Sequence, residues 1–149
     1  LHRAAAWDKS GSARLTVNPA DSGQNTLFGD QNESSAVMAP TISLDEDLHS
    51  ESRIDIVKID AEGAEPWILR GMANSIRSNP DIKILIKFAP KNLVRAGVTP
   101  RQFFDLVAAL DLSFEKIDDR TGEVSKATED ELLNCFSASL LLQKPVSID

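Results

Sequence analysis

The chain has 149 residues, 42% of them apolar and 26% charged. That is enough to bury roughly two thirds of the unfolded surface in one domain, and too apolar for a disordered tail. Its net charge is −7, with acids spread along the chain and no block of Lys or Arg, which excludes a surface built to track nucleic-acid phosphates or an anionic membrane. Small molecules, glycans and proteins remain as partners.

Cys135 is the single cysteine, so there is no intrachain disulfide, and a lone thiol suits a reducing, cytoplasmic setting. Within "LLNCFSASLLLQ" it reads as a small core residue. No apolar run approaches the roughly 18 residues of a membrane span. The chain opens in mid-strand at "LHRAAAW", without an initiating Met, so a missing leader carries no information.

In chain order, residues 1–20 predict a strand, a turn at Lys9-Ser10-Gly11-Ser12 and a second strand, "ARLTV". "NPADSGQNTLFGDQNESS" reads as a polar loop. "AVMAPTIS" predicts a short strand that Pro40 limits to an edge or a bulge, and "LDEDLHSES" a short helix with a solvated face. From residue 54 the pattern changes. "IDIVKI" is nearly continuous in β-branched apolar residues, which suits a parallel strand covered on both faces. Pro66 opens a helix in which Ile68, Leu69, Met72 and Ile76 share a face, stopped at Asn79-Pro80. "DIKILIKFAP" repeats the strand pattern. Thr99 and Pro100 then start a helix with Phe103, Leu106, Val107 and Leu110 on one side. A strand or hairpin around Thr121-Gly122, a helix at "DELLN" and a final strand, "FSASLLLQKP", complete the pattern. Three strands alternating with helices predict a parallel sheet with right-handed crossovers, and the last two strands should be antiparallel neighbours.

The stretch "IDIVKIDAEGAEPWILRGM" raises the functional question. Its strand delivers Asp60 and Glu62 to one short loop, and ligands of open α/β sheets bind at the carboxyl ends of strands. One reading is structural, with either acid capping the following helix. Another is a metal-binding acid pair, although the spacing alone is weak and no third ligand is close in sequence. A P-loop NTPase would need a glycine-rich phosphate loop, which is not there. A cofactor and substrate site in a Rossmann-like transferase is the last. His2 and His49 read as surface residues, and Trp67 as core.

This stretch resembles the signature of the FkbM-type methyltransferase family, an apolar strand running into Asp-x-Glu-Gly-x-Glu and a helix ending near Leu-x-Gly. Asp60, Glu62, Gly63, Glu65, Leu69 and Gly71 match. "AAAWDKSGSARL" resembles the family's Ala-x-x-Asp-x-x-Gly strand and hairpin, "NPADSGQNTLFG" its Ser-Gly-x-Asn-x-Leu loop, and "APTISLDEDL" its Thr-x-x-Leu-Asp segment. "KFAPKNLVRAGVTPRQFFDLVAAL" and "ATEDELL" follow in the right order.

The resemblance implies an α/β, Rossmann-like class I methyltransferase sheet and S-adenosylmethionine-dependent O-methylation of a hydroxyl on a small molecule or glycan. It implies that residues 1–149 are a single partial domain lacking the sheet's first two strands. Residues 1–53 would carry the third strand, hairpin and loop, and residues 54–149 the C-terminal half, with the chain alone inactive. Asp60 and Glu62 become the expected catalytic residues. Ala6, Trp7, Asp8 and Asp60 become the expected cofactor contacts, with no metal. The family commonly has Glu where this chain has Lys87. The alternative is a non-catalytic remnant serving as a binding or scaffold module. Oligomeric state is not written in the sequence.

Overall fold

The structure, a computed structural model, describes residues 1–21, 23, 25–29, 36–51 and 53–145. Its elements are β1 (Ala5–Trp7), β2 (Gly11–Thr16), β3 (Ala36–Ser43), α1 (Leu44–Asp47), β4 (Ile56–Ile59), α2 (Glu65–Arg70), α3 (Ala73–Ser78), β5 (Lys83–Phe88), α4 (Pro90–Arg95), α5 (Pro100–Ala109), β6 (Ser113–Ile117), β7 (Val124–Ser125), α6 (Glu129–Leu133) and β8 (Ala138–Gln143). Ser22, Gln24 and residues 30–35 of the predicted polar loop lie outside the described residues. No helix among the described residues is long and apolar enough to cross a membrane.

The chain is mixed α/β, with two mixed sheets of order β1-β3-β2 and β4-β5-β8-β6-β7. In the larger sheet β4 and β5 are parallel, while β8 enters antiparallel between β5 and β6. Hence β4, β5 and β6 all point the same way, as predicted, and β6 and β8 are antiparallel neighbours. The Thr121-Gly122 hairpin joins β6 to β7. Burial with a period of two places Ile84, Ile86 and Phe88 of β5, and Ala138, Leu140 and Leu142 of β8, in the core. Against them α5 sets Phe103 and Phe104, whose ring centroids lie 5.2 and 5.0 Å from that of Phe88. A capping box starts α5, Gln102 N–H donating to the Thr99 hydroxyl and the Gln102 side chain accepting from Thr99 N–H.

Five local expectations need correction. The strands of residues 1–20 are not a hairpin, because β3 lies between them, parallel to β1 and antiparallel to β2. Pro40 sits in the middle strand of this sheet, not at its edge. It is tolerated because β1 pairs only with Thr41–Ser43, so at Pro40 the strand has β2 alone beside it. The strand β4 is not covered on both faces. Among the described residues it has one hydrogen-bonded neighbour, β5, and Ile56 is 64% exposed.

The helix predicted from Pro66 to Asn79 is two short helices, broken at Gly71 and Met72. The Gly71 carbonyl turns out of the helix to accept hydrogen bonds from the Ser43 hydroxyl (2.9 Å) and Asp45 N–H (2.8 Å). The Asp45 carboxylate then serves as the missing cap of α3, accepting from Asn74 N–H (2.9 Å), Ser75 N–H (2.7 Å) and the Ser75 hydroxyl (2.8 Å). Asp45 is therefore a structural residue and not part of a solvated face. A Cβ on Gly71 would stand 2.0 Å from the carbonyl oxygen of Trp7, so only glycine admits this contact.

Gly71→Ala should accordingly lower the unfolding free energy by about 3 kcal/mol, since the obstruction is backbone and cannot rotate away. Chemical denaturation should show a lower midpoint at unchanged slope.

Candidate functional site

The carboxyl end of β4 opens on a cleft of about 410 Å³ between the two sheets. Ala5 and Ala6 of β1 line one side, and Val57, Lys58, Ile59, Asp60 and Ala61 the other. Leu44, Ala64 and Ile68 contribute further apolar surface, and Asn25 and Thr26 polar groups. Asp60 also borders a second, smaller hollow of about 160 Å³, which it shares with Lys87, Asp119 and Ser139. Its carboxylate is 49% exposed, and Lys58 Nζ lies 3.8 Å away, an exposed pair of little energetic weight.

Glu62 follows a different course. Its backbone is left-handed (φ 49°), and Gly63 after it has φ 106°, so this tight turn demands glycine at its second position. A Cβ at Gly63 would also meet the Asn92 carbonyl oxygen at 2.7 Å. The Glu62 carboxylate is directed at α4, where Asn92 Nδ2 donates to it at 2.8 Å. Arg95 and the Thr26 hydroxyl donate to the Glu62 carbonyl at 3.1 and 3.2 Å.

Neither acid caps α2. Helix α2 has no side-chain cap, and Glu65 at its first position, 4% exposed, instead ties down the loop before it. Its two carboxylate oxygens accept from Ala61 N–H (3.1 Å) and Gly63 N–H (3.0 Å), closing the loop over itself. Burial raises its pKa, opposed by these amide hydrogen bonds. Asn92, Arg95 and Glu65 went unassigned in the sequence. Glu65 had a signal, being the third acid of the Asp-x-Glu-Gly-x-Glu run, placed immediately before Pro66.

Of the expected cofactor contacts, Ala6 and Asp60 meet across the cleft. Trp7 is stacked on Trp67, centroids 4.9 Å apart and planes 7° from parallel, with Phe28 against both. Asp8 does not line the cleft; it has one buried carboxylate oxygen without a hydrogen-bond partner among the described residues. Lys87 lies 3.4 Å from Asp119, so negative charge reaches this end of β5 from the β6–β7 turn. Among the described residues no group of three His, Cys, Asp or Glu side chains is placed to hold a metal. His49 is an exposed residue bonded to the Glu46 carbonyl, and Cys135 packs at the edge of the core.

The model of the Methyltransferase FkbM domain matches residues 1–119. The chain belongs to this family. Neither the curated proteins nor the solved structures gave a match. The FkbM match spans β1 through β6, and so contains the cleft, Asp60 and the loop that Glu65 holds. The chain is thus a methyltransferase-family domain whose Asp-x-Glu-Gly-x-Glu acids occupy three distinct environments.

The raised pKa of Glu65 has a pH signature. Its folded value lies above its unfolded one, so its stabilising contribution is full below the unfolded pKa and is lost as pH rises through the folded value. Relative to Glu65→Gln, the wild-type chain should be at its most stable at and below the ordinary glutamate value of 4.5 and lose ground as pH rises above it. Denaturation of both proteins across that range measures the difference, and a pH-independent difference would show that the carboxyl does not titrate abnormally.

Proposed function

We propose that the chain acts as an S-adenosylmethionine-dependent O-methyltransferase on a hydroxyl of a small molecule or glycan, with Asp60 at the point of transfer. The observation that carries this reading is the position of Asp60 on both cavities at the strand's carboxyl end. A group-transfer enzyme needs two sites meeting at one point, and this carboxylate borders both.

The residues present suit the donor. The apolar wall of Ala5, Ala6, Leu44 and Ile68 suits a flat heterocycle. Trp7, fixed by its stack on Trp67, would define the edge of that surface. S-adenosylmethionine supplies an electrophilic methyl on a cationic sulfur. Asp60 would offset that charge and accept the proton of the attacking hydroxyl. Glu62, held by Asn92, would contribute negative charge and fix the loop. Most of the rate then comes from holding donor and acceptor in line. In the same reading the two sheets are flanks of one Rossmann-like sheet, and β1 and β4 face the place of two further strands.

Methyl transfer is tested by following conversion of S-adenosylmethionine to S-adenosylhomocysteine with hydroxylated small molecules and glycosides, and by locating the methyl as an ether in the product. Asp60→Asn, nearly isosteric, should leave the fold intact and lower turnover tenfold or more, about 1.4 kcal/mol of barrier. Unchanged turnover would remove Asp60 from the reaction.

A further inference from the structure

A further hollow, of about 470 Å³, backs onto the cleft between the sheets. Alternation along β2 sets the two apart. Leu15 faces the cleft, while Arg14 and Thr16, its neighbours in sequence, face the hollow. Leu27 borders both and forms the partition. Phe28 and Gly29 continue the wall, and Arg95 reaches in from α4. The bridge between Thr16 and Thr26, with N–H···O distances of 2.8 and 3.1 Å, holds this wall against the end of β2. A Cβ at Gly29 would stand 2.0 Å from Thr16 Oγ1, so glycine lets the chain pass close to the Thr16 hydroxyl.

The charge of this lining has one sign. Arg14 and Arg95 bring two guanidinium groups, and among the described residues no acidic side chain lines the hollow, in a chain whose net charge is −7. The two cavities at Asp60 mix the signs. Lys58 stands with Asp60 in the cleft, and Lys58 and Lys87 stand with Asp60 and Asp119 in the small hollow. Glu62 positions Arg95 without using up its donors. Arg95 Nη2 donates to the Glu62 carbonyl at 3.1 Å, while the Glu62 carboxylate lies 3.9 Å from it and takes its hydrogen bond from Asn92. A guanidinium has five N–H donors in a planar fork, so a residue engaged on one side still binds an oxyanion on the other.

We propose that this hollow binds an organic phosphate monoester, with the phosphate on Arg14, Arg95 and the Thr16 hydroxyl and an apolar body on Leu27 and Phe28. A phosphate monoester carries about −1.5 to −2 charges at neutral pH, which answers two guanidinium groups where a carboxylate answers one. The volume exceeds what a bare oxyanion fills and falls among small-molecule sites, roughly 300–1,000 Å³. The ligand therefore has a body, and the aromatic and aliphatic walls make that body apolar. Asp60 is not part of this lining, so the site stands whether or not the chain transfers methyl groups.

The test is an NMR titration of the chain, labelled at Leu and Thr methyls, with phenyl phosphate. Saturable shifts should appear at Leu27 and Thr16, and Arg14→Gln and Arg95→Gln should each weaken binding about tenfold, the size of one lost charge-assisted hydrogen bond. Arg95 also touches the Glu62 carbonyl. Should Arg95→Gln lose its folded spectrum, Arg14→Gln decides alone, since Arg14 is exposed on β2 and its loss leaves the core intact. Inorganic phosphate and phenol each offer half of the contacts and should bind about tenfold more weakly at the same methyls. No shift at Leu27 and Thr16, or an unchanged affinity in the folded variants, overturns the proposal. Inorganic phosphate binding as tightly as phenyl phosphate overturns the organic ligand, and phenol doing so overturns the anion. Benzoate binding as tightly overturns the phosphate in favour of a carboxylate.

Discussion

Among the described residues the two sheets share no strand pairing, so the geometry of the cleft between them depends on a junction made elsewhere. That junction is Gly71. Its carbonyl receives Ser43 and Asp45 from the end of β3 and the start of α1, and its Cα lies against the backbone of Trp7 and Asp8. One residue of the larger sheet's helical layer thus fixes the carboxyl ends of β1 and β3, which are paired at Trp7 and Ser43. The stack of Trp7 on Trp67 adds apolar contact beside it. Losing the close approach at Gly71 would move β1 away from β4, and with it Ala6 away from Asp60.

A second set of contacts holds the loop itself. Glu62 and Gly63 both have positive φ, a costly conformation for Glu, and the loop keeps it through four side chains. Glu65 binds its amides from below, Asn92 and Arg95 bind Glu62 from α4, and Thr26, bridged to Thr16 of β2, reaches the Glu62 carbonyl. A loop so fully hydrogen-bonded presents Asp60 with little freedom, which is the preorganisation a positioning enzyme needs.

The larger sheet was legible in the sequence because its signals are local. Continuous apolar runs, Pro at a first helical turn and the Thr99 cap each report on a few adjacent residues. The errors arose where distant residues intervene. Nothing in "AAAWDKSGSARL" reveals that β3 will separate its two strands, and the face shared by Ile68, Leu69, Met72 and Ile76 conceals the break at Gly71. At the site, Asp60 stood out because it ends an apolar strand. The grouping of Lys87, Ser139 and Asp119 beside Asp60 is invisible in sequence, since each residue belongs to a different strand or turn and only register unites them. The departure at Lys87 looked like a reversal of charge, and the structure pairs it with Asp119.

The three acids of one short motif show why residue type underdetermines role. Glu65 is enclosed and its oxygens are spent on two amides, so it stabilises the loop and has nothing left for a ligand. Glu62 is half-buried and engaged by Asn92. Asp60 alone of the three keeps its carboxylate half-exposed, near Lys58 at 3.8 Å in a pair too solvated to hold it firmly. An acid that is to meet a cationic or hydroxylic ligand must not already be satisfied by the protein, because exchanging one full set of hydrogen bonds for another gains little. The structure divides enclosure and availability among the three, and availability falls to the one acid of the three that borders both cavities.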